Sequence, residues 1–203
     1  MRFVIIGAGG HSREVADLVV ACGHEISGFV DDAVTGAHRP TGLPVLDDVE
    51  QFDADALTIA VGDTVARACI YDSLVAWHSL PVLVDPSARV SVYADIGAGS
   101  QVMQNVVVNS TARVGVNTIL NVGCIVAHDC VVGDHSHLAL GAILSGGSAV
   151  GDRSLIGAGA VLLPGVRVGA DCIVGAGAVV THDVGDNTRV AGVPARPVRE
   201  ESR

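Results

Sequence analysis

The sequence predicts a two-part chain, a short Rossmann-like α/β unit followed by a three-sided parallel β-helix. Three observations predict it. Aliphatic residues recur at every sixth position from 84 to 180, seventeen in seventeen steps. Glycine follows the aliphatic residue at 97, 115, 133, 151 and 169, a spacing of 18 that makes one coil from three hexapeptides. Ahead of the repeats, two apolar runs flank a glycine-rich turn and a helical pattern. A helix of period 3.6 or a plain alternating strand would not count in sixes; a solenoid of stacked coils does.

In chain order, residues 2–7 read as a buried strand that runs into Gly7, Ala8, Gly9, Gly10 and His11. A helical pattern follows, with Val15, Leu18, Val19 and Cys22 on one side. Residues 25–30 form a second strand ending at Asp31 and Asp32, and a polar loop with Pro40 and Pro44 comes next. Residues 57–61 are a third strand, then Gly62 and Asp63, then a helix from about Thr64 to Trp77 with Arg67 in its first turn. Strands alternating with helices mean a small parallel sheet. The expected units are residues 1–80, the repeats at 84–185, and a tail at 186–203 that caps the coil or reaches a neighbour.

Within each hexapeptide the aliphatic residue fills the prism, and a small residue four places on packs beside it. Cys124, Cys130 and Cys172 fall in that small slot and read as packing residues, reduced and unpaired. Gly97 and its 18-residue partners, with Asn109 and Asn121, are assigned to tight corners that need a positive φ. Aromatic residues are only 3%, which suits a prism too narrow for rings. The net charge is −10, every cation is arginine, and there is no basic stripe, so nucleic acid and anionic membranes are poor partners. No apolar run is long enough to span a bilayer and the start reads as a strand, so a cytoplasmic protein is expected.

The candidate chemistry lies in two places. The Gly7-Ala8-Gly9 turn carries the first two glycines of a dinucleotide fingerprint with Ser12 at the sixth position. Such turns let main-chain N–H groups approach a phosphate at a helix N-terminus. Asp31 and Asp32 can accept from a ribose or a base edge, and a mononucleotide fits an 80-residue unit better than a dinucleotide. In the prism, His128 falls two places after an inward valine, at an outward corner, with Gly146 one coil above. Asp129 can hold the other ring nitrogen and fix the tautomer. His137 is half a coil away, so it meets His128 only across a subunit boundary. From the residues alone, His135 and His137 read as surface or interface residues.

Gly7-Ala8-Gly9-Gly10-His11, Phe29-Val30-Asp31-Asp32, the hexapeptides, Ala127-His128-Asp129-Cys130 and Gly192-Val193-Pro194-Ala195 occur in that order. As a set they resemble the sugar O-acyltransferases of sialic-acid type. That family includes N-acetyltransferases acting on nucleotide-linked amino-dideoxy sugars. The resemblance implies a left-handed β-helix, a homotrimer, acetyl-CoA as co-substrate and no metal. It implies His128 as general base supported by Asp129, with Asn121, His137 and His11 lining the active site. It places the nucleotide-sugar near Gly7, Gly9, Gly10, His11, Asp31, Asp32, Gly62, Asp63 and Arg67. Coenzyme A would run between two prisms past His137, Gly146, Ala158 and Ala176. Relatives handling a UDP-sugar often carry a larger or basic residue where this chain has Ala33, so the base stays open.

The expected activity is acetyl transfer to the amino group of a nucleotide-linked amino-dideoxy sugar, with O-acetylation of a sialic acid as the alternative. Two readings from other classes are a zinc hydratase of the γ-carbonic-anhydrase type, using His128, His135 and His137, and a non-catalytic nucleotide-binding trimer.

Overall fold

The computed structural model describes residues 1–198; the last part of the expected tail, 199–203, lies outside the described residues. The N-terminal elements are β1 (Arg2–Ile6), α1 (His11–Ala21), β2 (Glu25–Val30), β3 (Gly36–Ala37), β4 (Pro44–Leu46), β5 (Ala56–Ile59) and α2 (Thr64–Leu74). The sheet order is β3-β4-β2-β1-β5, with β1 parallel to both β2 and β5, β2 parallel to β4, and only the β3–β4 pair antiparallel. Two short strands therefore lie inside the expected polar loop. The second helix stops at Leu74, one turn short of the expectation, and Trp77 is 83% exposed.

Alternation along β1 decides what packs where. Phe3 and Ile5 face α1 and join one core with Val15, Leu18, Val19 and Phe29, a core that continues into the prism through Leu83. Val4 and Ile6 face the other way, with Leu57, Ile59, Tyr71 and Leu80. The positive φ of Gly23, 76°, ends α1 behind its cap residue Cys22. Asp63 starts α2, its carboxylate accepting from the Ala66 N–H at 2.8 Å.

From Leu83 onward the chain winds a three-sided prism of two-residue strands. The first face stacks parallel strands beginning at Leu83, Gln101, Ile119, His137, Leu155, Ile173 and Arg189; the second runs from Arg89 to Val179, the third from Asp95 to Arg167. Up to the last coil each strand pairs in parallel with the one 18 residues on, as Val107 with Ile125 and Val108 with Val126, and at the end Ile173 pairs with Arg189. The sixfold series is the core: Val102, Leu120, Val126, Leu138, Leu144, Ile156, Leu162 and Val174 have no exposed surface. Each such side chain contributes roughly 1.5–3 kcal/mol on burial. The series relaxes at the open first coil, where Val84 is exposed and Val90 and Ile96 are only partly covered. Cys124, Cys130 and Cys172 are buried and unpaired as expected, and burial pushes the Cys124 thiol up to about 12.

The corner assignment needs correcting. The positive φ falls two residues later than expected, at Gly99, Asn105, Thr111, Asn117, Gly123, Asp129, His135 and onward in sixes, and not at Gly97, Asn109 or Asn121. The glycines at 97, 115, 133, 151 and 169 answer a different demand. A Cβ on Gly115 would stand 2.7 Å from the Asp134 nitrogen and 2.8 Å from the Gly133 carbonyl carbon, so these glycines let successive coils stack closely. After the last coil, Arg189–Ala191 turns back to pair antiparallel with Arg196–Pro197. Among the described residues, no helix is long and apolar enough to cross a membrane.

Candidate active site

Three neighbourhoods hold the sequence-derived site residues. The first is the corner between the second and third faces. His128 lies here with its side chain 68% exposed, and its Nδ1 meets Asp129 Oδ2 at 2.8 Å. A carboxylate only accepts, so Nδ1 carries the proton, and in the neutral ring the lone pair is on Nε2. Asp129 also accepts from the Thr111 hydroxyl at 2.6 Å. That bond first, and the one from His128 second, hold its carboxyl below the usual range. Gly146 stands over the ring: a Cβ there would come within 2.6 Å of both Cε1 and Nε2. The missing side chain is what leaves Nε2 open to a ligand.

The second neighbourhood is the first face, where the N-terminal unit packs on the prism. His137 Nδ1 lies 3.4 Å from the Gly62 carbonyl, and its Nε2 lies 3.4 Å from Asn121 Nδ2. Asn121 is buried, and its Oδ1 accepts from the Val122 N–H at 2.7 Å, which fixes its amide. Burial, then the charges of Arg67 and His11, push the His137 imidazole down to about 4 against the opposing bond to Gly62. The His11 ring is 6.3 Å from that of His137. His11 reaches Glu14 through Nδ1 at 3.0 Å and Gln101 through Nε2 at 3.2 Å. Gln101 in turn donates to Thr58 at 2.8 Å and to the Ile59 carbonyl at 2.9 Å.

The third neighbourhood is the carboxyl edge of the small sheet. Ile6, Gly7, Val30, Asp31, Asp32 and Val61 border a cleft of about 260 Å³ at the ends of β1, β2 and β5. Ligands of open parallel sheets sit there, where the strand order reverses. Gly7 has a φ of 101°, and a Cβ there would stand 3.0 Å from the Ala60 carbonyl oxygen, so glycine is required at the turn. No atom lies within 4 Å of a Cβ placed on Gly9 or Gly10, which leaves their main chain open. The Asp31 carboxylate is occupied by the N–H groups of Ala8, Ala33 and Val34 at 2.7, 2.9 and 3.0 Å. Burial alone would raise its pKa; those three donors bring it below the ordinary value. Asp31 thus shapes the rim, and exposed Asp32 is the acidic group turned outward.

Arg67 does different work from that expected. It has no exposed surface, so it does not face a ligand. Its Nε donates to the Asn117 carbonyl at 3.1 Å, Nη1 to those of Val61 and Gly62 at 3.0 and 3.1 Å, and Nη2 to those of His135 and Ser136 at 2.6 and 3.0 Å. It ties α2 to two coils of the prism. Burial brings its pKa down to about 10, against the pull of Asp63.

The structure gathers Gly146 with His128, but Ala158 and Ala176 are exposed on another corner, one coil and two coils beyond the Leu140 position. Among the described residues, the histidines at 128, 135 and 137 form no group placed to hold a metal ion, and His135 bonds Asn117 and packs edge-on to Tyr71. His135 and His137 are interface residues, but the interface lies within one chain. Sequence reading missed Thr111, Gln101 and Asn117. Thr111 stands one full coil before Asp129 in the same slot, the single signal that could have found it.

Comparisons with known proteins bear on the same regions. A family model described as the PglD N-terminal domain matches residues 2–74, and the bacterial transferase hexapeptide model of six repeats matches 147–182. The acetyltransferase domain of PglB from Neisseria gonorrhoeae is 37% identical, with a TM-score of 0.90 over 97% of this chain and 99% of that one. PerB from Caulobacter crescentus, solved with CoA and GDP-perosamine, is 38% identical with a TM-score of 0.90 over 98% of each chain. WeeI from Acinetobacter baumannii is 30% identical, with a TM-score of 0.87 over 98% of this chain and 100% of that one.

Proposed function

Because the chain belongs to the hexapeptide-repeat sugar N-acetyltransferases with a PglD-type N-terminal domain, we propose that it acetylates the amino group of a nucleotide-linked amino-dideoxy sugar, with acetyl-CoA as donor. The observation that carries the reading is the His128–Asp129 pair with Nε2 open beneath Gly146. In this reading Nε2 takes the proton from the sugar amine as its nitrogen attacks the thioester carbonyl in direct transfer. Asp129 holds the proton on Nδ1 and stabilises the imidazolium that forms.

The nucleotide occupies the sheet-edge cleft, its phosphates near the open main chain of Gly9 and Gly10 and its base or ribose near Asp32. Gly62 and Asp63 border the path from that cleft to His137. A mobile thioester needs a groove, and His128 stands largely exposed on a corner of the prism. Outward on the second face stand Val107, Ile125, Ile143, Val161 and Val179, a half-buried aliphatic strip along the coil axis. We infer that a second copy of the chain covers this strip in a homotrimer. Asn121, His137, Ala158 and Ala176 of one prism then face His128 and Gly146 of the next, and coenzyme A lies between them.

The test is a thiol-release assay with acetyl-CoA across UDP-, GDP- and dTDP-linked 4-amino sugars, with free sialic acid as control. His128→Ala is expected to lower kcat by about 10²–10⁴-fold while leaving both KM values nearly unchanged. Retention of more than about a tenth of kcat removes His128 from the role of base.

A further inference from the structure

The Gly62 carbonyl accepts from two sides. Arg67 Nη1 lies 3.1 Å from it and His137 Nδ1 3.4 Å from it. A carbonyl oxygen has two lone pairs and no proton, so it serves both donors, and the ring nitrogen facing it must be the protonated one. The far side of the ring gives the same answer independently. Asn121 spends its oxygen on the Val122 N–H, so the amide end at 3.4 Å from His137 Nε2 is the donor. His137 is therefore the Nδ1–H tautomer, and Nε2 is an acceptor.

The position of Gly62 relative to His137 is not set by the chain between them, because the two lie 75 positions apart. It is set by Arg67. One side of the guanidinium holds the Val61 and Gly62 carbonyls of the N-terminal unit, and the other holds Asn117, His135 and Ser136 of the prism. Asn117 returns the contact, its Nδ2 donating to the Arg67 carbonyl at 3.1 Å. A planar fork with five N–H donors spans these acceptors in a way an ammonium cannot.

We propose that Arg67 is a positioning residue: through the Gly62 carbonyl it holds His137 in the Nδ1–H form, keeping Asn121 as the amide donor, and it keeps the nucleotide-binding turn in register with that pair. The assignment rests on the reading of His137 and Asn121 as site residues. Its consequence for the reaction is specific. The His137 ring offers an acceptor, so the donor toward a developing oxyanion on this face is the remaining Asn121 N–H. The titratable and charged groups around the ring are Arg67 itself, with Asp63 beside it, and His11, with Glu14 bonded to its far nitrogen. Burial first, and the neighbouring Arg67 guanidinium second, keep the ring neutral through the working pH range.

The experiment uses the full chain labelled with ¹⁵N at histidine. In the wild type, long-range ¹H–¹⁵N spectra should show His137 as the Nδ1–H tautomer from pH 8 down to about 5. Observation of the Nε2–H form overturns the proposal with no variant needed. Arg67→Lys and Arg67→Met are then compared, with circular dichroism and light scattering to establish folding. Both should give a tautomer mixture for His137, and Arg67→Met, which also removes the charge, an apparent pKa raised by at least about one unit with the acid limb of kcat/KM moved the same way. KM for the nucleotide-sugar should rise at least tenfold while KM for acetyl-CoA holds. A folded Arg67→Met protein with unchanged tautomer and pH profile refutes the role of Arg67. A wild type showing the expected tautomer and its loss on substitution, but no acetyl transfer to any amino sugar, leaves this linkage standing and refutes the proposed function instead.

Discussion

Gly146→Ala separates the fold from the chemistry more sharply than removal of the histidine itself. The added Cβ would lie 2.6 Å from His128 Cε1 and Nε2 and 3.3 Å from Cδ2, where ordinary contact begins at 3.4 Å. The ring must retreat by roughly 0.8 Å, and it has room to do so because the side chain is 68% exposed. What is lost is the 2.8 Å bond from Nδ1 to Asp129, an exposed pair that solvent screens and whose loss costs the fold little. Alanine at a negative φ also restricts the unfolded chain, which offsets about 0.4–1 kcal/mol. The melting temperature should therefore move by no more than about 4 °C. Catalysis should suffer far more, since a methyl group now fills the approach to Nε2 and the tautomer lock is broken. A loss of general-base assistance is 10²–10⁴-fold, or about 3–5 kcal/mol of barrier. Steady-state thiol release at saturating substrates measures it, and differential scanning fluorimetry checks the fold. The neighbouring Gly147→Ala is the control. Nothing lies within 4 Å of its Cβ, but its φ is +71°, so it should cost about 1–2 kcal/mol of stability and keep kcat within threefold. If Gly146→Ala kept more than a tenth of wild-type kcat, the reaction would not pass over this face of His128.

Acid should unfold the protein partly through His137. Its folded pKa of about 4 is below the unfolded value near 6.5, so between those limits the unfolded chain binds a proton the native ring refuses. The contribution is complete above about pH 6.5 and is lost as pH falls toward 4, on the order of 3 kcal/mol in all. Urea midpoints at pH 7 and pH 5 should differ less in His137→Gln than in the wild type; parallel pH dependences would rule the linkage out. Gly115→Ala should destabilise by about 3 kcal/mol or more, because its Cβ would meet main-chain atoms of the next coil at 2.7 and 2.8 Å and backbone cannot step aside. A urea midpoint within about 0.2 M of wild type would show that the coils have slack there.

What was legible in the sequence was whatever the repeat enforces. Burial of the sixfold series, the small residues beside it and the three inward cysteines all follow from a fixed period. The period also announced that glycines at 18-residue spacing matter, but not why. Close coil stacking and positive φ both select glycine, and only coordinates separate Gly97 and Gly115 from Gly99 and Gly123. Arg67 was misread for a related reason. A cation in the first turn of a helix, four residues after a glycine-acid turn, looks the same in sequence whether it faces a ligand or a neighbouring wall. Its partners at Asn117, His135 and Ser136 are 50, 68 and 69 residues away, beyond any local pattern. Gln101 and His11 meet across 90 residues for the same reason.

The adjacency of His128 and Asp129 is the point where repeat geometry and chemistry coincide. In an extended strand, neighbouring side chains point to opposite faces and do not bond one another. Here Asp129 occupies the slot with positive φ, at 61°, which turns the chain and brings its carboxylate to 2.8 Å from the preceding imidazole. This is no isolated strain, because Thr111 and Gly147 hold the same slot one coil before and one coil after, at 64° and 71°. Each does what its side chain allows. Thr111 donates a hydroxyl to Asp129, and Gly147 leaves the next coil bare. On the corner facing the N-terminal unit the same slot holds Gly99, where a Cβ would press to 2.7 Å from Tyr71, then Asn117, bonded to Arg67, then His135, edge-on to Tyr71. One backbone conformation, repeated every six residues, is thus filled for docking on one corner and, in the proposed function, for proton transfer on another. A corner substitution should be judged by what its column faces, since the conformation is common to all three.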